Sequence, residues 1–324
     1  MSLRVSNLSK RYDNHWVLRD VSFEAEKGEV FGIFGATAAG KSTLIRMLSG
    51  TDTCSSGSIF HDSSDVTVFS CEDRNFHFPK LTNNSIWKNL FKSDNKPQIA
   101  DGEGQVLALE MALEQAESVL LLDDSFCYMD RLLRHENYIR LRNKVKEKNL
   151  IVIVATNDFN EAMLICDRIA ILHDGEIKQI GSPREIYENP NSFAVARITG
   201  RNNLIESRRL TSTKAELPEV QTLVGEHRLF ARKVEKSQLG AINQNVTLAI
   251  RPEHISISFG ASFPEDNLLK ATVIDIRFHG ATTLIVLDTN GLILESLVLR
   301  VVGLKIGDEC MVGLPPDRIL ILKD

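Results

Sequence analysis

One run of nine residues constrains the fold of this 324-residue chain more than any other feature. The run is Gly35-Ala36-Thr37-Ala38-Ala39-Gly40-Lys41-Ser42-Thr43, and it matches the pattern G-x-x-x-x-G-K-[ST]. Apolar residues 30–34 precede it and predict a buried strand, while residues 41–48 have the pattern of a helix. A strand, a glycine-containing loop and a helix in this order predict a loop that wraps phosphate groups.

The residue types in the run indicate how it would bind. The two glycines let the backbone curve, so that N–H groups and the helix N-terminus face an anion. Lys41 would reach the terminal phosphates of ATP, and Ser42 would bind Mg²⁺. The alternative is a chance turn, because the bare pattern arises by accident in roughly one chain in a hundred of this length. The flanking strand and helix make that alternative weaker.

A second apolar stretch, residues 119–122, ends in Asp123. A carboxylate in this position holds the Mg²⁺ shell opposite the phosphate loop. Buried strands that end in Asp are common in α/β proteins, so this stretch is strong evidence only together with the loop. We therefore expect ATP and Mg²⁺ as cofactors, with Ser42 and Asp123 as the metal ligands.

The pattern of the chain changes near residue 203. Before it, apolar runs alternate with amphipathic stretches, which predicts a parallel α/β domain over residues 1–202. The expected strands are 30–34, 119–122 and 150–155, the expected helices are 41–48, 105–113, 131–148 and 159–166, and a hairpin joins 168–172 to 176–180. After it, β-rich runs at 246–250, 271–277, 282–287, 292–299 and 318–322 predict a small β-barrel domain over residues 203–324. The polar stretch 202–214 is expected to be a linker.

Composition excludes several classes of function. A net charge of −5 and a pI near 6.0 provide no broad positive field, so no nucleic-acid partner is expected, and an oligonucleotide-binding role for the β-domain is disfavoured. The five cysteines are scattered without C-x-x-C spacing, which fits a reducing cytoplasm rather than disulfides or zinc. The apolar stretches are too short to span a bilayer, so membrane association would need another subunit.

The order of motifs resembles that of ABC-transporter ATPases, in the branch of importer subunits with a C-terminal OB-like (TOBE) regulatory domain. The matching segments are Lys10-Arg11-Tyr12, Asp123-Asp124-Ser125, Tyr128-Met129-Asp130, Thr156-Asn157-Asp158, Gly181-Ser182-Pro183 and Arg251-Pro252-Glu253. The resemblance covers nearly the whole chain. It implies an α/β P-loop NTPase domain of the ABC type, then an all-β OB-like domain. It also implies that Tyr12 stacks on adenine, although an ordinary tyrosine at a strand edge remains the alternative.

Two positions that the resemblance makes catalytic are altered. Asp124 stands where the family has the glutamate that polarises water, and it is one methylene shorter; a misplacement of ~1 Å can lower a rate by ~10²-fold. Asn157 replaces the switch histidine, and its amide can donate a hydrogen bond but cannot become a cation. The implied ATPase activity is therefore expected to be weak.

The resemblance also locates a signature stretch at residues 99–103. In the family this stretch caps the γ-phosphate bound by a partner subunit. Here Ala100 lacks a hydroxyl, while Asp101 and Glu103 would place carboxylates near phosphate, each at a cost of a few kcal/mol at ~4 Å. Poor capping is expected.

The groove that would receive a membrane subunit is altered as well. The family's Q-loop glutamine has no counterpart near Phe78-Pro79, and Glu72 or Asp73 occupies that region. Only sixteen residues separate Thr82 from Ile99, which predicts a shortened helical subdomain.

Two functions remain open from the sequence. The first is the ATP-binding subunit of an importer, paired with a second ATP-binding subunit as a homodimer or heterodimer. By resemblance it would lie on the inner face of the cell membrane, with transmembrane permease subunits and a solute-binding protein for a sugar, polyamine, ferric ion, sulfate or molybdate. The second is a regulatory or scaffold protein that binds nucleotide without hydrolysing it. The altered positions reflect either drift or an asymmetric pair with a competent partner.

Overall fold

The computed structural model describes residues 2–74, 76–79, 101–213, 217–234, 241–259, 267–300 and 303–322. The chain divides into two compact units, Met1–Glu188 and Asn189–Asp324. The domain boundary expected after residue 202 stays a prediction. No helix within the described ranges has the length and apolar character needed to cross a bilayer.

A six-stranded sheet forms the centre of the first unit. Its strands are β3 (Val30–Phe34), β6 (Phe76–His77), β7 (Val119–Asp123), β8 (Ile151–Thr156), β9 (Arg168–His173) and β10 (Glu176–Gly181). They lie in the order β10-β9-β3-β8-β7-β6, and all pair in parallel except β10, which is antiparallel to β9. Every residue of β3 and β8 is buried, as is typical of parallel strands covered on both faces.

A second, antiparallel sheet in this unit was not predicted from the sequence. It consists of β1 (Ser2–Tyr12), β2 (His15–Glu26), β4 (Ser56–His61) and β5 (Ser64–Asp65), in the order β2-β1-β4-β5. Apolar side chains of β1 and β2 share one core with β3, β8 and the helix after the phosphate loop. This packing places the β1–β2 hairpin beside the loop.

Five helices of the first unit are described. They are α1 (Lys41–Ser49), α2 (Asp101–Gln115), α3 (Arg131–Lys148), α4 (Phe159–Ile165) and α5 (Pro183–Glu188). Asp130 begins α3 by accepting hydrogen bonds from the N–H groups of Leu132 and Leu133, and Asp158 begins α4 in the same way. The ends of the four predicted helices lie within four residues of the observed ends, and for α3 both ends coincide.

The second unit consists of two antiparallel five-stranded sheets preceded by α6 (Phe193–Ile198). One sheet contains β11 (Asn203–Arg209), β12 (Glu219–Thr222), β13 (Arg228–Phe230), β14 (Asn245–Ile250) and β20 (Leu320–Leu322). The other contains β15 (Ser256–Ser258), β16 (Asn267–Phe278), β17 (Thr283–Thr289), β18 (Leu292–Val298) and β19 (Glu309–Leu314). Their inner faces form a single apolar core.

One expectation for this region was wrong in part. The stretch expected to be a linker contains β11, whose residues pair with β14 from Asn203↔Ile250 to Arg208↔Asn245. Its alternating buried and exposed residues follow a strand period that its polar composition hid. Asn290 and Gly291 form the turn between β17 and β18, with φ of 54° and 88° in the left-handed region.

Candidate nucleotide-binding site

The phosphate loop connects the end of β3 to the start of α1. Residues Ala36, Thr37 and Ala38 are exposed at its crest, whereas Ala39 and Thr43 are buried beneath it. A Cβ atom at Gly35 would collide with the backbone oxygen of Leu172, so only glycine fits there. The strand, loop and helix predicted from the sequence are thus in place.

Two residues of the loop adopt left-handed backbone conformations. Gly40 has a φ of 104°, and a Cβ there would lie 2.8 Å from Leu18 Cδ2 and 3.0 Å from the backbone oxygen of Val17. Ala38 has a φ of 66° although it is not glycine. Left-handed backbone at Ala38 is strained for a residue with a Cβ, which the sequence pattern did not reveal.

Lys41 lies inside the loop that precedes it. The side chain is buried, and Nζ donates hydrogen bonds to the backbone oxygens of Gly35 at 2.9 Å and Ala36 at 3.0 Å. Burial lowers the pKa of Lys41, and the nearby carboxylates of Asp124 and Asp123 oppose the shift. The ammonium group is therefore held where phosphate oxygens would face the loop.

Asp123 ends β7 at the same edge of the sheet. Burial raises the pKa of its carboxyl group above the ordinary value, while the hydroxyl of Ser42 favours the ionised form. One oxygen, Oδ1, is buried without a hydrogen-bond partner among the described residues. A buried carboxylate oxygen with a free lone pair beside a hydroxyl fits Mg²⁺, which is usually bound by one or two protein oxygens plus substrate phosphates.

The two expected catalytic residues follow the ends of neighbouring strands. Asp124 comes directly after β7, has a φ of 44°, and its N–H donates to the backbone oxygen of Ala155 at 3.0 Å. Asn157 comes directly after β8, whose last residue Thr156 pairs with Phe34 at the end of β3. Its side chain is exposed. Parallel pairing therefore brings Asp124 and Asn157 to the phosphate edge.

A buried network joins Glu161 to Tyr138 and to Thr156, the residue before Asn157, and it was not predicted from the sequence. Glu161 is 4% exposed and accepts a hydrogen bond from the hydroxyl of Tyr138 at 3.0 Å. Burial raises the pKa of Glu161, and a hydrogen bond with Thr156 partly offsets the shift. The signal was present, since Glu161 falls within the apolar face formed by Phe159, Ala162 and Ile165.

Tyr12 ends β1, and its side chain is 40% exposed. Its hydroxyl donates to Asp52, and Nζ of Lys10 lies 4.8 Å from the centre of its ring. Asp52 was not among the predicted site residues.

The Q-loop region differs from the expectation. Glu72 and Asp73 are exposed and lie in turns before β6, and Asp73 accepts a hydrogen bond from Ser70. Because β6 runs parallel to β7, its carboxyl end is followed by Phe78 and Pro79. Neither Glu72 nor Asp73 therefore reaches the phosphate edge.

The signature stretch lies partly outside the described residues. Ile99 and Ala100 fall there, as do the sixteen residues between Thr82 and Ile99. The described part begins with α2, where Glu103 is exposed and Gln105 is buried. Gln105 Oε1 accepts from the N–H of Tyr128 at 2.9 Å, so α2 is tied to the segment after β7.

These features define a nucleotide-binding protein of the P-loop class. A loop with Lys41 inside it and a carboxylate from another strand of the same parallel sheet form one phosphate-facing edge. The ABC transporter family matches residues 18–84, and the TOBE domain family matches residues 248–322. Together with the relatives below, these matches show that the chain belongs to the ABC-transporter ATP-binding proteins that carry a C-terminal TOBE domain.

The curated relatives match over most of their length. The spermidine/putrescine import ATP-binding protein PotA of Protochlamydia amoebophila is 30% identical over 318 residues, covering 86% of this chain and 83% of that protein. The protein of the same name from Haemophilus ducreyi is 29% identical over 329 residues, covering 90% and 87%. The predicted family and the predicted two-part fold are confirmed.

Solved structures support the fold of the first unit. A nucleotide-free ATP-binding cassette from an ABC transporter aligns with a TM-score of 0.53 at 17% identity, covering 62% of this chain and all of that chain (100%). The cbiO1 protein of Clostridium perfringens, part of the ABC transporter complex cbiONQ, aligns with a TM-score of 0.50 at 23% identity, covering 60% and 92%. At these identities the likeness concerns the fold.

Proposed function

We propose that this chain is the ATP-binding subunit of an ABC-type importer, that it binds MgATP at an interface with a second ATP-binding subunit, and that it hydrolyses ATP slowly on its own. One observation carries the proposal. Lys41 is buried and Asp123 has a buried carboxylate oxygen at one edge of the sheet, whereas the adjoining positions for hydrolysis hold Asp124 and Asn157.

Binding follows from the loop. Backbone N–H groups at the start of α1 and the ammonium group of Lys41 donate to phosphate oxygens, and charge-assisted hydrogen bonds are about twice as strong as neutral ones. Ser42 and the free oxygen of Asp123 would hold Mg²⁺, which neutralises charge on the phosphates.

Weak hydrolysis follows from the side chains at 124 and 157. The backbone N–H of Asp124 donates to Ala155, so a shift of the chain that restored the reach of the side chain would break this hydrogen bond. Asn157 offers a neutral amide where a cation would stabilise charge in the transition state. Both changes lower the rate while leaving phosphate binding intact.

Partners and location are proposed from the relatives. The curated relatives are named as spermidine/putrescine import proteins. We infer a polyamine as the transported solute, with transmembrane permease subunits and a solute-binding protein, and a location on the cytoplasmic face of the membrane. A partner ATP-binding subunit with an intact signature stretch would cap the ATP bound here.

The alternative is a regulatory or scaffold protein that binds ATP without turnover. Asp124 and Asn157 favour this alternative as well, because both would slow hydrolysis. The gene neighbourhood separates the importer subunit from the regulatory protein. Adjacent permease and solute-binding-protein genes support transport, whereas an isolated gene supports regulation.

The direct test compares the wild-type chain with Asp124→Glu combined with Asn157→His. We expect wild type to bind MgATP and to turn over ~10²-fold below the ordinary ~10 s⁻¹ of enzymes, and the double variant to be at least about tenfold faster. The matched control is Asp317→Glu with Asn245→His, at exposed positions of the second unit. Wild-type turnover near ~10 s⁻¹ would contradict weak hydrolysis, and failure to bind MgATP would contradict the proposal as a whole.

A further inference from the structure

We propose that Lys10 and Asp52 are positioning residues that hold the ring of Tyr12 against a nucleotide base, so that the site prefers a nucleotide over polyphosphate without a base. The inference rests on the proposed function, because it presupposes that the phosphate loop binds a nucleotide. It assigns a role to Lys10 and Asp52 that neither the motif pattern nor the family match provides.

Asp52 links both other side chains. The hydroxyl of Tyr12 donates to Asp52 Oδ2, and Nζ of Lys10 donates to Asp52 Oδ1 at 2.6 Å. Lys10 also donates to the backbone oxygen of Thr53, and its Nζ lies 4.8 Å from the ring centre of Tyr12. A cation at this distance interacts favourably with the face of an aromatic ring. The ring is thus held at its hydroxyl and along one face.

The group is attached to the elements that form the phosphate loop. Lys10 pairs with Leu18 of β2, and Leu18 packs against Gly40 of the loop. Asp52 follows α1, and its N–H donates to the backbone oxygen of Arg46 within that helix. The contacts of Lys10 and Asp52 therefore fix Tyr12 relative to α1, the helix that begins with Lys41.

Exposure separates the fixed part of this group from the open part. Lys10 is 7% exposed, while Tyr12 is 40% exposed. Stacking on an aromatic side chain requires a flat face that is accessible and does not rotate away, and this arrangement provides both.

The experiment measures the affinity for MgATP and for magnesium tripolyphosphate, which lacks a base. Tyr12→Ala is expected to weaken ATP binding about tenfold or more. Tyr12→Phe keeps the ring but removes the hydroxyl that bonds to Asp52. We expect Tyr12→Phe and Asp52→Asn each to weaken ATP binding about threefold, because the ring remains but is no longer held in place. Affinity for tripolyphosphate should not change in any of the three.

A double-mutant cycle gives a second readout. Tyr12→Phe combined with Asp52→Asn should bind ATP no more weakly than the weaker single variant, because both remove the same contact. The matched control is Asp275→Asn in the second unit, since Asp275 accepts hydrogen bonds from the next N–H at 2.8 Å and from Arg277 Nε at 2.7 Å. Asp52 likewise accepts from the N–H of Thr53 at 2.8 Å. The control should change neither affinity.

Several outcomes would overturn the inference. The first is that Asp52→Asn weakens the binding of ATP and of tripolyphosphate equally, which would indicate a general effect on folding. The second is that the effects of Tyr12→Phe and Asp52→Asn on ATP affinity are additive. An unchanged ATP affinity in folded Tyr12→Phe and Asp52→Asn would also overturn it. A wild-type chain that binds neither ligand would instead contradict the proposed function, and the inference with it.

Discussion

Two groups of residues lie at the same edge of the parallel sheet and differ in how they are built. In the phosphate-binding group, Lys41 is buried and donates hydrogen bonds to the backbone of the loop, and Asp123 is partly buried with one carboxylate oxygen shielded from solvent. The hydrolytic group, Asp124 and Asn157, follows the ends of β7 and β8, and Asn157 is exposed. Binding depends mainly on backbone shape and one ammonium group, whereas hydrolysis depends on the reach and charge of single side chains. The second can therefore be lost while the first is kept.

Lys41→Ala should have the largest effect on this comparison. It removes charge-assisted hydrogen bonds to phosphate, so we expect MgATP affinity to fall about 10²-fold, or about 2.7 kcal/mol. Isothermal titration calorimetry measures the change, and Lys178→Ala at a half-buried site on β10 is the control. Equal MgATP affinities for Lys41→Ala and wild type would show that the loop does not bind the phosphates.

Gly40→Ala should come second, through the shape of the loop. The added Cβ would meet Leu18 and the backbone of Val17, and a φ of 104° is strained for alanine, so a loss of about 2 kcal/mol in the free energy of unfolding is expected. Gly307 has a φ of 93°, and no atom of the described residues lies within 4 Å of the place where a Cβ would be, so Gly307→Ala isolates the backbone strain in thermal unfolding. Equal losses in both variants would show that the contact with β2 is unimportant.

Asp123→Asn should separate binding of the metal from stability. Burial raises the pKa of Asp123, so the folded state holds the proton more tightly than the unfolded state. Stability is therefore lost as pH rises from the ordinary value of about 3.9 through the raised pKa, and the charge is unfavourable at pH 7.

We accordingly expect Asp123→Asn to raise Tm of the nucleotide-free chain at pH 7, with the gain disappearing at low pH. It should also abolish the preference for ATP with Mg²⁺ over ATP with EDTA, which we expect to be about tenfold in wild type. Asp317→Asn, at an exposed site, is the control. A lower Tm with Mg²⁺ dependence intact would contradict the assigned role.

Ala38→Gly should have the smallest effect, and unlike Gly40→Ala it should raise the stability of the chain. Glycine relieves the left-handed strain at a φ of 66°, so we expect the free energy of unfolding to rise by about 0.5–1 kcal/mol. Ala39→Gly, at the neighbouring position without a positive φ, should lower it by about the same amount. Chemical denaturation measures both, and a loss in each would contradict strain at Ala38.

The sequence predicted those parts of the fold that have strong local patterns. The mostly apolar strands β3, β7 and β8 were identified because burial on both faces leaves a continuous apolar run. Helix α3 was identified because Tyr138, Leu141 and Val145 recur at helical spacing. The loop and Asp123 were identified because their chemistry permits few residue types. Strand β11 was not, because its polar residues alternate with only a few apolar ones.

Contacts between distant residues could not be predicted in the same way. The group formed by Lys10, Tyr12 and Asp52 joins residues about 40 positions apart. The parallel pairing of β6 with β7 places Glu72 and Asp73 before the amino end of β6, away from the phosphate edge. Both follow from strand order, which no single stretch of sequence contains. Ala38 shows the same limit for the backbone, since its strain is a property of the closed loop.

The central claim is that this chain holds MgATP without efficiently cleaving it. The most direct measurement mixes the purified chain with a limiting amount of γ-labelled MgATP and follows bound nucleotide and released phosphate in the same sample. The account predicts stoichiometric binding with phosphate release no faster than about 0.1 s⁻¹. Release near ~10 s⁻¹ would contradict it.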